Sequence, residues 1–168
     1  MWEIGMKAKT ITSAHKMMII EIGAKMHSEH LPSEFIASAV EIAFEFEGVL
    51  DLMMMWSTEK EEKERQEIIA DIQELIEDCA QNDVVEGVYV RFDDLEGIAK
   101  NIRAFKDQLR ILVDSKGGLT NLSKKIGIPQ PSLSRFFNSA SMPRRMTLNK
   151  IARALGLNQV QIATEWAK

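Results

Sequence analysis

Cysteine is nearly absent: Cys79 is the only one in 168 residues. That excludes an intramolecular disulfide framework and a cysteine-rich zinc site, and it fits a reducing cytosol. Long hydrophobic runs are missing too. The apolar patches at 17–20 and 52–56 are far too short to span a bilayer. The opening Met1-Trp2-Glu3-Ile4-Gly5 has neither the basic region nor the apolar stretch of a cleavable signal. A cytoplasmic protein with no membrane partner is expected. No nucleophile stands out beside a histidine, and no Gly-rich phosphate loop is present. The carboxylates at Glu61, Glu62 and Glu64 read as a solvated helix face rather than an acid/base pair. The expectation is a non-enzyme without a cofactor. His27 and His30 lie three apart with Glu34 beyond, but Leu31-Pro32 breaks the helix there and no histidine follows downstream. No metal site is expected.

Positive charge is scarce in the first part of the chain and concentrated in the rest. Residues 1–98 hold 8 Lys+Arg against 22 Asp+Glu, a balance of −14, whereas residues 99–168 hold 13 against 3, a balance of +10. The net −4 hides this asymmetry. It suggests that one half faces a polyanion and the other does not. The acidic half would limit non-specific DNA binding or dock a basic partner.

The basic half contains the most constrained stretch, residues 119–138. Leu122 and Ile126 share one face of a short helix. Gly127 follows at once, where a turn between packed helices needs a residue tolerant of positive φ. Ile128 is apolar just after the turn. Pro129 and Pro131 suit the start of a new helix, where a missing N–H is harmless. Leu133 and Phe136, with Phe137 beside them, supply that helix's buried face. Ser123 is small where two helices must approach closely.

This pattern resembles the phage repressor/Cro (Xre-type) helix-turn-helix family, on Leu122, Ser123, Ile126, Gly127, Ile128, Leu133 and Phe136. The tract after it is similar as well: a polar loop, then Pro143-Arg144-Arg145, then Thr147 to Leu157. The resemblance covers roughly residues 99–168 and says nothing of residues 1–98. It implies a helix of about 131–138 lying in the DNA major groove. Base readout would come from Gln130, Ser134 and Arg135, with Ser132 and Asn138 beside them. Gln suits the N6/N7 edge of adenine and Arg the O6/N7 edge of guanine. Pro131 stands where the family often has a polar residue, so readout there would be by shape or thymine-methyl contact. Phosphate contacts are expected from Thr120 and Asn121 at a helix N-terminus, and from Lys124, Ser141, Arg144 and Arg145.

Along the chain, a helix is expected from Ser13 as N-cap to about Ser28. Pro32-Ser33-Glu34 would start another, running unbroken to about Trp56 with two apolar stripes. Ser57 or Thr58 would cap the next, with Glu61 completing a capping box. That helix would end near Ala80 with a stripe of Ile68, Ile69, Ile72, Leu75, Ile76 and Cys79. The pair reads as an antiparallel hairpin. Residues 84–92 alternate weakly, as a short strand or an extended connector. Asp93 or Asp94 would cap a helix to about Ser115, and a last helix is expected near 159–167.

The expected fold class is therefore all-α. An acidic helical domain over 1–92 would serve dimerisation or partner binding. A basic five-helix repressor-like domain over 93–168 would bind DNA. The function expected is a sequence-specific transcriptional regulator, a homodimeric repressor or an autoregulating antitoxin whose acidic domain holds a basic toxin. A ligand-sensing repressor, with the Met/Phe-rich hairpin as pocket, is a further version. The rival is a protein-interaction adaptor whose helix-turn-helix no longer touches DNA.

Overall fold

A computed structural model describes residues 11–80, 95–141 and 143–156, without the side chains of 95–101 and Arg145. The chain divides into two compact units, Met1–Asn82 and Asp83–Lys168. The boundary expected at 92/93 and the strand or connector expected at 84–92 lie outside the described residues, as does the helix expected near 159–167. All regular structure among the described residues is helical.

The first unit begins with α1 (Ser13–Ser28). Its cap is Thr12 rather than Ser13. The Thr12 hydroxyl accepts from the His15 N–H at 3.2 Å, and His15 Nδ1 accepts from the Thr12 N–H at 3.4 Å. Ile19, Ile22 and Met26 recur at 3–4 spacing and are buried. Gly23 lies on the same face: a Cβ there would meet Val40 Cγ2 at 3.0 Å, so its bareness lets α2 (Ser33–Ala43) come close.

The long helix expected over 33–56 is two. α2 stops at Ala43, and α3 (Glu47–Thr58) starts after Phe46, which is extended at φ −127°. No proline marks the break. Phe46 folds back so that its ring lies over Gly48, where a Cβ would sit 2.7 Å from Phe46 Cε1. The kink lets both stripes reach one small core: Phe35, Ala39 and Ala43 from α2, and Val49, Leu50, Met53 and Trp56 from α3. A straight helix would have left one stripe in water.

α4 (Glu62–Ala80) completes the unit with buried Ile68, Ile69 and Ile72. Two expectations fail here. Thr58 does not cap α4; its hydroxyl bonds back to the carbonyls of Met54 and Met55. The Glu59 carboxylate instead accepts the Lys60 and Glu61 N–H groups, at 2.7 and 2.9 Å. Those bonds, to Glu61 first and Lys60 second, hold its carboxyl below the usual carboxylate range. Cys79 is exposed, while Gln73 is buried and donates to Glu77. Trp56 ties three helices together. The Arg65 guanidinium lies 4.5 Å from its ring and pairs with Glu29 at 2.6 Å. Lys25 approaches the ring at 5.5 Å and donates to the Ser57 carbonyl.

The second unit has α5 (Leu95–Ser115), α6 (Gly118–Ile126), α7 (Gln130–Asn138) and α8 (Arg145–Leu155). Its core is Leu109 and Val113 of α5, Leu119, Leu122 and Ile126 of α6, Leu133 and Phe137 of α7, and Ile151 and Leu155 of α8, with Ile128 from the turn. No helix among the described residues is long and apolar enough to cross a membrane.

Candidate nucleic-acid interface

The turn between α6 and α7 is set by local chemistry. Gly127 sits at φ +73° and donates its N–H to the Ser123 carbonyl at 3.0 Å. An L side chain there would be strained by about 1–2 kcal/mol. The Ser123 hydroxyl, buried, donates to the Ile128 carbonyl at 2.7 Å. Pro129 then caps α7 and takes no backbone donor that would go unpaired. Ile128 and Pro129 are buried, so the turn is pinned at both ends.

The inner side of α7 is Leu133 and Phe137, with Phe136 half-buried and edge-on to Phe137 at 4.9 Å between centroids. Gln130 and Asn138 are exposed, and Ser134 and Arg135 are half-buried. Asn138 Nδ2 donates to the Ser134 hydroxyl at 3.3 Å, so these two residues form one polar step a turn apart. The Thr120 hydroxyl of α6 donates to Gln130 Oε1 at 3.3 Å. Ser132 is half-buried in the first turn of α7. Its hydroxyl oxygen is closed off from solvent and has no partner among the described residues.

Residues 109–158 match the family model for Helix-turn-helix. This segment is a helix-turn-helix domain. It starts within α5 and takes in α6, α7 and α8, so the match falls on the motif residues of the repressor/Cro type. Neither curated proteins nor solved structures yield a match to the chain. A helix-turn-helix domain is a DNA-binding regulatory module rather than an enzyme family, and in general terms the chain is a DNA-binding regulator.

The expected phosphate contacts divide in two. Thr120 is exposed near the start of α6, and Lys124 is exposed in its last turn beside Lys125. Asn121 Nδ2 donates to the Lys116 carbonyl at 2.8 Å and closes the end of α5. Ser141 shares a hydroxyl–hydroxyl bond with Ser139 at 2.8 Å. Arg144 caps α8, and Arg145 is that helix's first residue.

Sequence reasoning missed the cations of α5. Lys106 is only 1% exposed. Its ammonium donates to the Ser139 carbonyl, the Ser139 hydroxyl and the Ser141 carbonyl at 3.0, 3.2 and 2.8 Å, and lies 4.6 Å from the Phe136 ring centroid. Arg103 donates to the Phe137 carbonyl at 3.4 Å, and Lys116 to the Leu155 carbonyl at 2.7 Å. Arg110 pairs with Asp114 and lies over the Phe137 ring at 5.7 Å. A share of the basic balance is therefore internal. It closes the C-terminal, negative ends of α7 and α8. The signal was readable: Lys106 continues the buried stripe of Ile102, Leu109 and Val113 at helical spacing. Burial, and second the nearby Arg103 charge, push the Lys106 amine down to about 8.

Proposed function

We propose that the chain is a sequence-specific transcriptional repressor that reads the major groove with α7. The observation that carries this is the split character of that helix. Leu133 and Phe137 are locked into the core, while Gln130 at the start of the helix and Asn138 at its end stay exposed. Gln130 reads an adenine edge, and Arg135 reads a guanine. Ser134 and Asn138 act one turn on. Thr120, Lys124, Arg144 and Arg145 position the domain on phosphates. Pro131, second in α7, contributes shape alone.

One such module buries too little DNA for tight specific binding. The working form is a homodimer on two half-sites about 34 Å apart. The acidic first part of the chain, residues 1–92, supplies either the dimer contact or a surface for a basic protein. The latter makes the chain an autoregulating antitoxin in the cytoplasm. Footprinting on the DNA upstream of its own gene at low and high salt tests this reading. A protected site that persists with salt supports it. Binding that is uniform along the DNA and vanishes with salt would leave only non-specific attraction.

A further inference from the structure

We propose that Lys106 is a positioning residue for sequence reading: with Arg103 one turn before it, its ammonium clamps the C-terminal end of α7 and so sets how that helix sits in the groove. The inference rests on the reading of α7 as the helix that contacts bases.

A buried ammonium is tolerated when its three N–H groups are matched. Here they meet two carbonyls and a hydroxyl, with an aromatic face alongside and no carboxylate among these partners. The charge is held by the dipoles at the end of α7, whose cap is Ser139. Arg103, three residues before Lys106 on α5, holds the Phe137 carbonyl of the same end. Lys106 reaches further, to Ser141, in the run that leads to Pro143 and Arg144.

Leverage makes the clamp matter for readout. Gln130 and Asn138 bound α7, and eight helical steps span roughly 12 Å. A tilt of about 5° at the clamped end moves Gln130 by about 1 Å, enough to lose a base hydrogen bond. Phosphate contacts from the start of α6 do not depend on that tilt.

The test uses the full chain with Lys106→Met, which keeps the apolar stem and removes the charge. Affinities for the footprinted duplex and for a random duplex are measured across a salt series. The expected result is a specific-to-random ratio lowered about tenfold or more, comparable to one lost base contact, with random-duplex affinity and salt slope unchanged. Loss of folded protein alone would lower both affinities by one factor and leave the ratio as it was; that result overturns the proposal. A slope reduced by about 1 also overturns it, because Lys106 would then meet phosphate directly. Ser139→Ala, which removes one acceptor and no charge, is the milder variant should Lys106→Met not fold. It should lower the ratio about threefold, less than Lys106→Met, because the ammonium keeps its two carbonyl acceptors; an unchanged ratio overturns the proposal. A wild-type chain that prefers no duplex defeats the DNA reading itself and this inference with it. Preference in the wild type that both variants keep defeats the inference alone.

Discussion

Ser123 and Ile128 are joined by a hydrogen bond of 2.7 Å that spans the Gly127 turn. Both residues are buried, so the Ile128 carbonyl has no water to turn to. The bond fixes the angle at which α7 leaves α6. Ser123→Ala should cost about 1–3 kcal/mol, the penalty for a buried acceptor left unmet. Gly127→Ala should cost about 1–2 kcal/mol for the left-handed backbone. Denaturant unfolding followed by circular dichroism checks both. A Ser123→Ala variant with wild-type midpoint would mean that the turn does not depend on this bond.

In the first unit, the weight falls on Trp56. Arg65 stacks on its ring and pairs with Glu29, so a single side chain links α1, α3 and α4. Arg65→Ala should destabilise by about 1–2 kcal/mol through the lost stacking and packing. Glu29→Ala, which removes only the ion pair, should cost about 0–1 kcal/mol. Thermal melts that rank the two the other way would place the energy in the ion pair instead.

The helix-turn-helix was legible because its determinants are local. Gly127, Ser123 and the spacing of Leu122, Ile126 and Leu133 each state a requirement within a few residues. The break at 44–46 was not legible, because its cause is the Phe46 ring resting on Gly48 while two stripes turn toward one core. The charge count pointed at the right half but overstated its reach. Counting cannot separate Lys106, buried in a stripe with Leu109 and Val113, from Lys124, which is exposed. Periodicity makes that distinction when it is applied to charged residues as well as apolar ones. Side-chain bonds of this kind were not legible either: Asn121 donates to the Lys116 carbonyl just past α5, and the Ser132 hydroxyl oxygen is closed off from solvent.

Stability should depend on pH at both ends of the range. The Lys106 amine is lowered to about 8 in the fold from the ordinary 10.5. Below about 8 both folded and unfolded chains carry the proton, and the fold bears the burial of the charge. Between about 8 and 10.5 the unfolded chain holds more protons, so stability rises with pH there. Lys106→Met should abolish that rise, which unfolding of the full chain at pH 7.5 and 9.5, values chosen about the shift, would show. At the acid end Glu59 gives a slope of the same sign. Its lowered carboxyl adds stability above the unfolded value, and this fades as pH falls through the folded one.

Arg135 and Arg144 should separate by the way they fail on DNA. Arg135 lies within α7 and Arg144 caps α8. On the reading proposed above, Arg135 addresses a base edge. Arg135→Ala should then cost about 1–3 kcal/mol on the preferred site and relax the preference at one position. Its effect on a random duplex should be small. Arg144 addresses phosphate, which every sequence offers. Arg144→Ala should weaken all duplexes alike and lower the salt slope by about 1. Gel-shift titrations on a set of single-position operator variants, at two salt concentrations, measure both quantities at once. If Arg135→Ala left the preferences at every position unchanged, the register of α7 in the groove would have to shift, and Gln130 and Asn138 would move with it. If instead Arg144→Ala changed preference at one position, the start of α8 would be reading sequence rather than positioning the domain.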